Sequence, residues 1–169
     1  WGPNLVRNFH EVPGCTVRWV CDLNPATLGK VAARYPTTKT TTDVRELWID
    51  HELDAVVIAT PVATHAALAR AALEAGKHVL VEKPLTHSAA DARALVALAR
   101  ERRRLLMVDH TFLYTGAVRR LREMVRSGEL GDIYYYDSVR INLGIFQNDV
   151  SVVWDLASHD LSIIDYVLP

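Results

Sequence analysis

Apolar positions recur with two different periods along the first hundred residues, and the change between them is sharpest from Asp54 to Thr86. Ala55 to Ala59 is a short continuous apolar run rich in valine and isoleucine, the pattern of a strand buried on both faces. Thr60-Pro61 ends it, because proline cannot continue a ladder. Ala67, Leu68, Ala71, Ala72 and Ala75 then fall at helical spacing, with Gly76 where a C-terminal cap belongs. Val79 to Val81 forms a second apolar run, closed by Glu82-Lys83-Pro84. Strand, crossover helix and strand predict a βαβ unit whose two strands are parallel neighbours.

The same alternation holds on both sides of this unit. Strands are predicted near 17–22, 37–42, 55–59, 79–82 and 105–109. Pro3 suits the first turn of an opening helix, and Asn24-Pro25 starts another. Asp43 caps a short helix through Leu47, Trp48 and Ile49, and Ser88 caps one with Ala92, Leu95, Val96 and Ala99 inward. The fold class that follows is α/β, a doubly wound parallel sheet of the dinucleotide-binding (Rossmann) type. After Val108 the pattern changes. Val118, Leu121, Met124 and Val125 line a helix ending at Ser127-Gly128. Ile133 to Ile141 is expected to be a strand of a different sheet, Leu143 to Ser151 a loop, and Val152 to Leu168 a final helix. The expected boundary lies near residue 110, with 1–110 as the dinucleotide-binding domain and 111–169 as the start of a second domain.

Ligands of such sheets bind beyond the carboxyl ends of the strands. Those ends carry Thr60, Pro61, His65, Glu82, Lys83 and Pro84. A lysine at the lip of a buried strand either points into a site or is a solvated loop residue. Gly2 fits the third glycine of the phosphate-binding fingerprint, just ahead of its helix. The chain opens on the helix that should follow the glycine-rich turn, so the first strand and first two glycines are expected to be missing. Asp22 lies at the tip of the next strand, at the spacing of the acid that bonds the adenosine ribose. Its carboxylate accepts from both ribose hydroxyls and repels a 2′-phosphate, which favours NAD over NADP; the alternative is that it only opens a turn with Asn24 and Pro25. Asp155 and His159 share a face of the last predicted helix. They form either a catalytic pair or a helix-end acid bonded to a structural histidine.

Composition changes this picture little. The chain has 169 residues, half of them hydrophobic, and a formal net charge of −1. That argues against a nucleic-acid or anionic-membrane partner. Arg100, Arg102, Arg103 and Arg104 sit at a helix end, where cations suit the dipole. Two cysteines make no disulfide framework or zinc cluster and fit a reducing, cytoplasmic setting. No metal site is expected. No apolar run approaches the roughly 18 residues of a membrane span. No Tyr-x-x-x-Lys pair occurs, which disfavours a short-chain dehydrogenase.

Taken together, Thr60-Pro61 with His65, Glu82-Lys83-Pro84, Gly131-Asp132-Ile133 and Asp155-x-x-x-His159-Asp160 resemble the Gfo/Idh/MocA (glucose–fructose oxidoreductase/inositol dehydrogenase) family over essentially the whole chain. Asp109-His110-Thr111-Phe112, Arg140-Ile141-Asn142-Leu143-Gly144 and the segment from Trp154 to Asp160 resemble a narrower branch. That branch oxidises the 3-hydroxyl of UDP-N-acetylglucosamine or its uronic acid. Leu113-Tyr114 stands where many relatives carry Arg-Phe or Arg-Tyr. The resemblance implies a chain about twice this long, of which this would be a fragment, with a second domain built on a large open sheet. It also implies site roles. NAD lies on Gly2 and Asp22, and Thr60, Pro61, His65, Glu82 and Lys83 flank its nicotinamide side. His159 is the general base, Lys83 stabilises the developing alkoxide, and Asp155 orients or charges the imidazole. Arg140 and Asn142 are candidate substrate contacts. The expected partners are a small sugar or sugar nucleotide and further copies of the full-length chain in a homo-oligomer. The alternatives are an inositol or free-sugar dehydrogenase of the same family, or an NAD-binding protein without turnover.

Overall fold

The computed structural model describes residues 1–140, 151 and 153–168. Five short parallel strands alternate with helices in the expected order. They are β1 (Trp19–Cys21), β2 (Lys39–Thr41), β3 (Ala55–Ile58), β4 (His78–Val81) and β5 (Leu106–Val108). The helices of this part are α1 (Gly2–Glu11), α2 (Pro25–Arg34), α3 (Arg45–Ile49), α4 (Val62–Glu74) and α5 (Ala89–Arg102). The helix starts expected at Asn24 and Ser88 are capped by those side chains, whereas α3 has Val44 rather than Asp43 at its cap position and no side-chain cap bond. The Ala26 amide donates to Asn24 Oδ1 at 2.9 Å, and the Asp91 amide donates to Ser88 Oγ at 3.3 Å. Gly76 follows α4 with φ +76°, the left-handed conformation that glycine reaches without strain.

The core lies where α4 and α5 cover β3 and β4. Val56, Ile58, Ala69, Ala72, Leu73, Val79, Val81, Leu95 and Ala99 form one buried cluster. Two inward positions differ from the sequence reading. The buried face of α4 runs through His65, Ala69, Ala72 and Leu73, leaving Ala67 exposed. In α5, Leu95 and Ala99 are buried, whereas Val96 is 39% exposed. An alanine-rich helix offers several stripes of similar apolarity, and the bulky Leu73 and Leu95 select the one that packs.

The strands form two sheets, β1-β2 and β3-β4-β5. β1 and β3 are not paired with each other, and each keeps one edge without a ladder partner among the described residues. In the doubly wound order, one further parallel strand belongs between these two edges.

Beyond β5 a 3₁₀ turn (Thr111–Tyr114) leads into α6 (Gly116–Arg126). Residues 133–140 are not in a strand, contrary to the expectation for that stretch; Ile141, and the loop expected from Leu143 up to Ser151, lie outside the described residues. Extended, β-branched and aromatic sequence becomes a strand only when a ladder partner satisfies its backbone, and the described residues provide none. The final helix opens with a π turn (Val153–Ala157) before α7 (Ser158–Val167), which packs on α6.

Two open strand edges beside apolar side chains form a template for self-association. The isolated 169-residue chain is therefore expected to associate at micromolar concentration and to unfold without one sharp transition. A monodisperse monomer with a cooperative thermal transition would contradict this.

Candidate active site

The ladder runs on past the strand ends. The Glu82 amide donates to Ile58 O, and the Asp109 amide donates to Val81 O, each at 2.8 Å. These bonds bring the segments after β3, β4 and β5 to one edge, the ligand side of such a sheet. Glu82 and Asp109 sit there together. Burial, then the charge of Asp109, pushes the Glu82 carboxyl up, against the Lys83 amide and ammonium.

His65 is placed differently from the expectation of direct cofactor contact. Its side chain is 1% exposed, and both ring nitrogens face main-chain carbonyls. Nδ1 lies 2.9 Å from Pro84 O, and Nε2 lies 2.8 Å from Thr60 O. No polar atom is left for a cofactor. Instead the ring braces the segment after β3 against the segment after β4. Thr60 and Pro61 remain exposed at the edge, with Thr60 Oγ1 2.7 Å from Thr64 Oγ1.

Lys83 and the last helix meet, although 72 positions separate Lys83 from Asp155. The Lys83 ammonium donates to Asp155 Oδ1 at 2.7 Å and to Asp155 O at 2.9 Å. Both side chains are largely withdrawn from solvent. This corrects the pairing expected between Asp155 and His159. An ammonium within reach is a stronger partner for a carboxylate than a neutral imidazole, and Lys83 takes the carboxylate.

His159 packs edge-on against Phe112, with ring centroids 4.8 Å apart. Its Nδ1 is buried and has no hydrogen-bond partner among the described residues. Burial, then the charges of Lys83, Arg140 and His110, pushes the imidazole down to about 4, against the opposing charge of Asp160. The ring is therefore neutral near pH 7 and able to accept a proton. Arg140 donates from Nε to Asp160 Oδ2 at 2.8 Å and lies over the Phe112 ring at 4.9 Å. Ser138 Oγ donates to the other Asp160 oxygen at 2.8 Å. Asn142 lies outside the described residues. Sequence reasoning did not place Phe112, His110 or Ser138 in the site. The rule applied to the ends of β3 and β4 would have found the first two just beyond the end of β5.

At the cofactor end, Gly2 opens the ten-residue α1 with open space beside its Cα, as a phosphate approaching a helix N-terminus requires. Asp22 Oδ1 accepts from the Asn24 amide at 2.8 Å, so the turn forms and the second carboxylate oxygen remains for a ribose. These residues fit an adenine dinucleotide.

Comparison with known proteins agrees with this geometry. Residues 1–110 match the model of the GFO/IDH/MocA oxidoreductase family, described as an NAD-binding Rossmann fold. The chain belongs to that family. Over 82 residues it is 48% identical to dTDP-3,4-didehydro-2,6-dideoxy-α-D-glucose 3-reductase of Streptomyces violaceoruber, covering 48% of this chain and 24% of that enzyme. The crystal structure of GenD2 from gentamicin A biosynthesis, in complex with NAD, is 35% identical with a TM-score of 0.69 over 73% of this chain and 35% of that one. The structure of an oxidoreductase from Magnetospirillum magnetotacticum MS-1 is 34% identical with a TM-score of 0.81 over 97% of this chain and 52% of that one. The chain thus spans about half or less of the length of these relatives. NAD is the cofactor of this family member, and no helix among the described residues is long and apolar enough to cross a membrane.

Two outcomes follow in the full-length protein. Replacing His65 with Ala removes the ring N–H that one of the Thr60 and Pro84 carbonyls accepts from and leaves a hole between the two segments, and should cost about 1–3 kcal/mol of stability; unchanged denaturant unfolding would contradict the brace. The His159 ring should titrate well below its ordinary value. Because its folded proton affinity is depressed, its contribution to stability is present above the unfolded value of about 6.5 and is lost as pH falls toward about 4. An NMR midpoint at or above 6.5 would contradict it.

Proposed function

We propose that the full-length protein oxidises a hydroxyl of a sugar or sugar nucleotide, with NAD accepting the hydride. The observation that carries this is the Lys83–Asp155 contact. It joins the strand-end cluster to the helix that bears His159, across the expected domain boundary. That contact supports reading Lys83, Asp155 and His159 as one catalytic set.

Each residue then has a role that its surroundings support. His159 is neutral and receives the hydroxyl proton. Lys83 spends two of its three N–H donors on Asp155 and keeps one for the substrate oxygen as negative charge develops there. Asp155 fixes the direction of that ammonium. Gly2 and Asp22 hold the dinucleotide, and Thr60, Pro61 and Glu82 border its reactive end. When bound, NAD supplies the hydride acceptor. His65 holds the two strand-end segments in place.

For the substrate we take the 3-hydroxyl of a UDP-linked N-acetylhexosamine or its uronic acid. The resemblance around Arg140-Ile141-Asn142-Leu143-Gly144 and residues 154–160 supports this, as does the sugar-nucleotide 3-reductase among the relatives.

The test is steady-state kinetics on the full-length enzyme with UDP-sugars, inositol and glucose. His159→Ala should lower kcat by roughly 10²–10⁴-fold, and Lys83→Ala by roughly 10²–10³-fold, with NAD affinity retained. Stability lost with turnover per folded molecule intact would mean that His159 is structural. Faster turnover of inositol or glucose would move the substrate to those classes, and no turnover of any would support a binding protein. With Asp22 on the ribose, kcat/KM should favour NAD; preference for NADP would remove that assignment.

A further inference from the structure

Arg140 is held on two sides. Its Nε donates to Asp160 at 2.8 Å, and its guanidinium carbon lies 4.9 Å from the centre of the Phe112 ring. Asp160 is in turn fixed by Ser138 Oγ at 2.8 Å, so both its carboxylate oxygens are committed. Burial of the pair is substantial, with 27% of the Arg140 side chain and 20% of the Asp160 side chain exposed. An arginine side chain ordinarily loses much rotamer freedom on binding a ligand. Here that ordering is already complete before a ligand arrives.

The bond to Asp160 uses only the Nε of the guanidinium. Among the described residues the two Nη nitrogens, which form the other edge of the fork, have no hydrogen-bond partner. That edge matches two oxygens of a carboxylate or phosphate. It also lies close to the proposed chemistry, since Phe112 touches both the Arg140 guanidinium and the His159 ring. One sugar can therefore place a hydroxyl at His159 and an anionic substituent at Arg140.

We propose that Arg140, pre-positioned by Asp160 and Phe112, is the specificity-determining residue for an anionic oxygen group on the substrate. Two sources share this chemistry, the carboxylate of a sugar acid and the diphosphate of a sugar nucleotide. The proposal rests on the dehydrogenase reading above and narrows its substrate class.

The experiment compares four compounds on the full-length enzyme. They are UDP-N-acetylglucosamine, its uronic acid, free glucuronate and free glucose. Each is measured for kcat/KM with NAD and for equilibrium binding to the NADH complex. Arg140→Gln should reduce the preference for the anionic compounds over glucose on the order of 10²-fold. Arg140→Lys should restore only part of it, because an ammonium lacks the fork. An effect confined to the two carboxylate-bearing compounds assigns the site to the sugar acid. An effect shared by both UDP compounds and absent from glucuronate assigns it to the diphosphate. Equal loss on glucose and on the anions, or a preference unmoved by Arg140→Gln, overturns the proposal. If no compound is oxidised, the dehydrogenase reading fails, while the binding ratios still decide whether Arg140 recognises an anion.

Discussion

The arrangement depends on one ion pair between distant parts of the chain. Lys83 leaves the end of β4, where burial of Val79 and Val81 fixes the strand, and its ammonium ends on the carboxylate and main-chain carbonyl of Asp155. A cation and an anion withdrawn from water gain only when their remaining hydrogen-bonding capacity is filled. The second bond, to the Asp155 carbonyl, helps to meet that requirement. Because Lys83 directly follows Glu82, whose amide is bonded to Ile58 O at the sheet edge, the contact also ties the start of the π turn and α7, and hence His159, to the sheet.

The electrostatics around His159 follow from the same contact. Lys83 and Arg140 both approach the ring, each already paired with its own carboxylate. Their residual positive charge, added to burial, disfavours a second proton on the imidazole. The price of a strongly depressed proton affinity is a weaker base. In a dehydrogenase a positive environment also favours the alkoxide form of the substrate, so the same charges that weaken the base ease the loss of the proton it must take. Phe112 gives the ring an apolar wall, and His65, set between Pro84 O and Thr60 O, keeps the segment that carries Lys83 from separating from the one after Ile58.

Much of this was legible in the residues. The apolar runs at 55–58 and 79–81, the cap at Ser88 and the stop at Gly76 each obey a local rule, and the strands and helices lie where those rules put them. The lip residues Thr60, Glu82 and Lys83 follow from strand polarity alone. What local rules do not carry is partner choice. Spacing put Asp155 beside His159, but a lysine 72 positions away competes better for the carboxylate. Spacing likewise put His65 on the ligand side of the sheet, yet its ring turns into the protein, where its nitrogens lie between the Thr60 and Pro84 carbonyls. Residues 133–140 have the composition of a strand and have, among the described residues, no neighbour that would make them one.

If Lys83 and Asp155 act as one unit in the chemical step, their effects on that step are not independent. The direct measurement is a double-mutant cycle on the full-length enzyme, reading single-turnover hydride transfer to NAD for Lys83→Ala, Asp155→Ala and the combined variant. The account predicts that the combined variant is about as slow as Lys83→Ala alone, since without the ammonium Asp155 has nothing to direct. Rate losses that multiply, as for two unrelated residues, would contradict it.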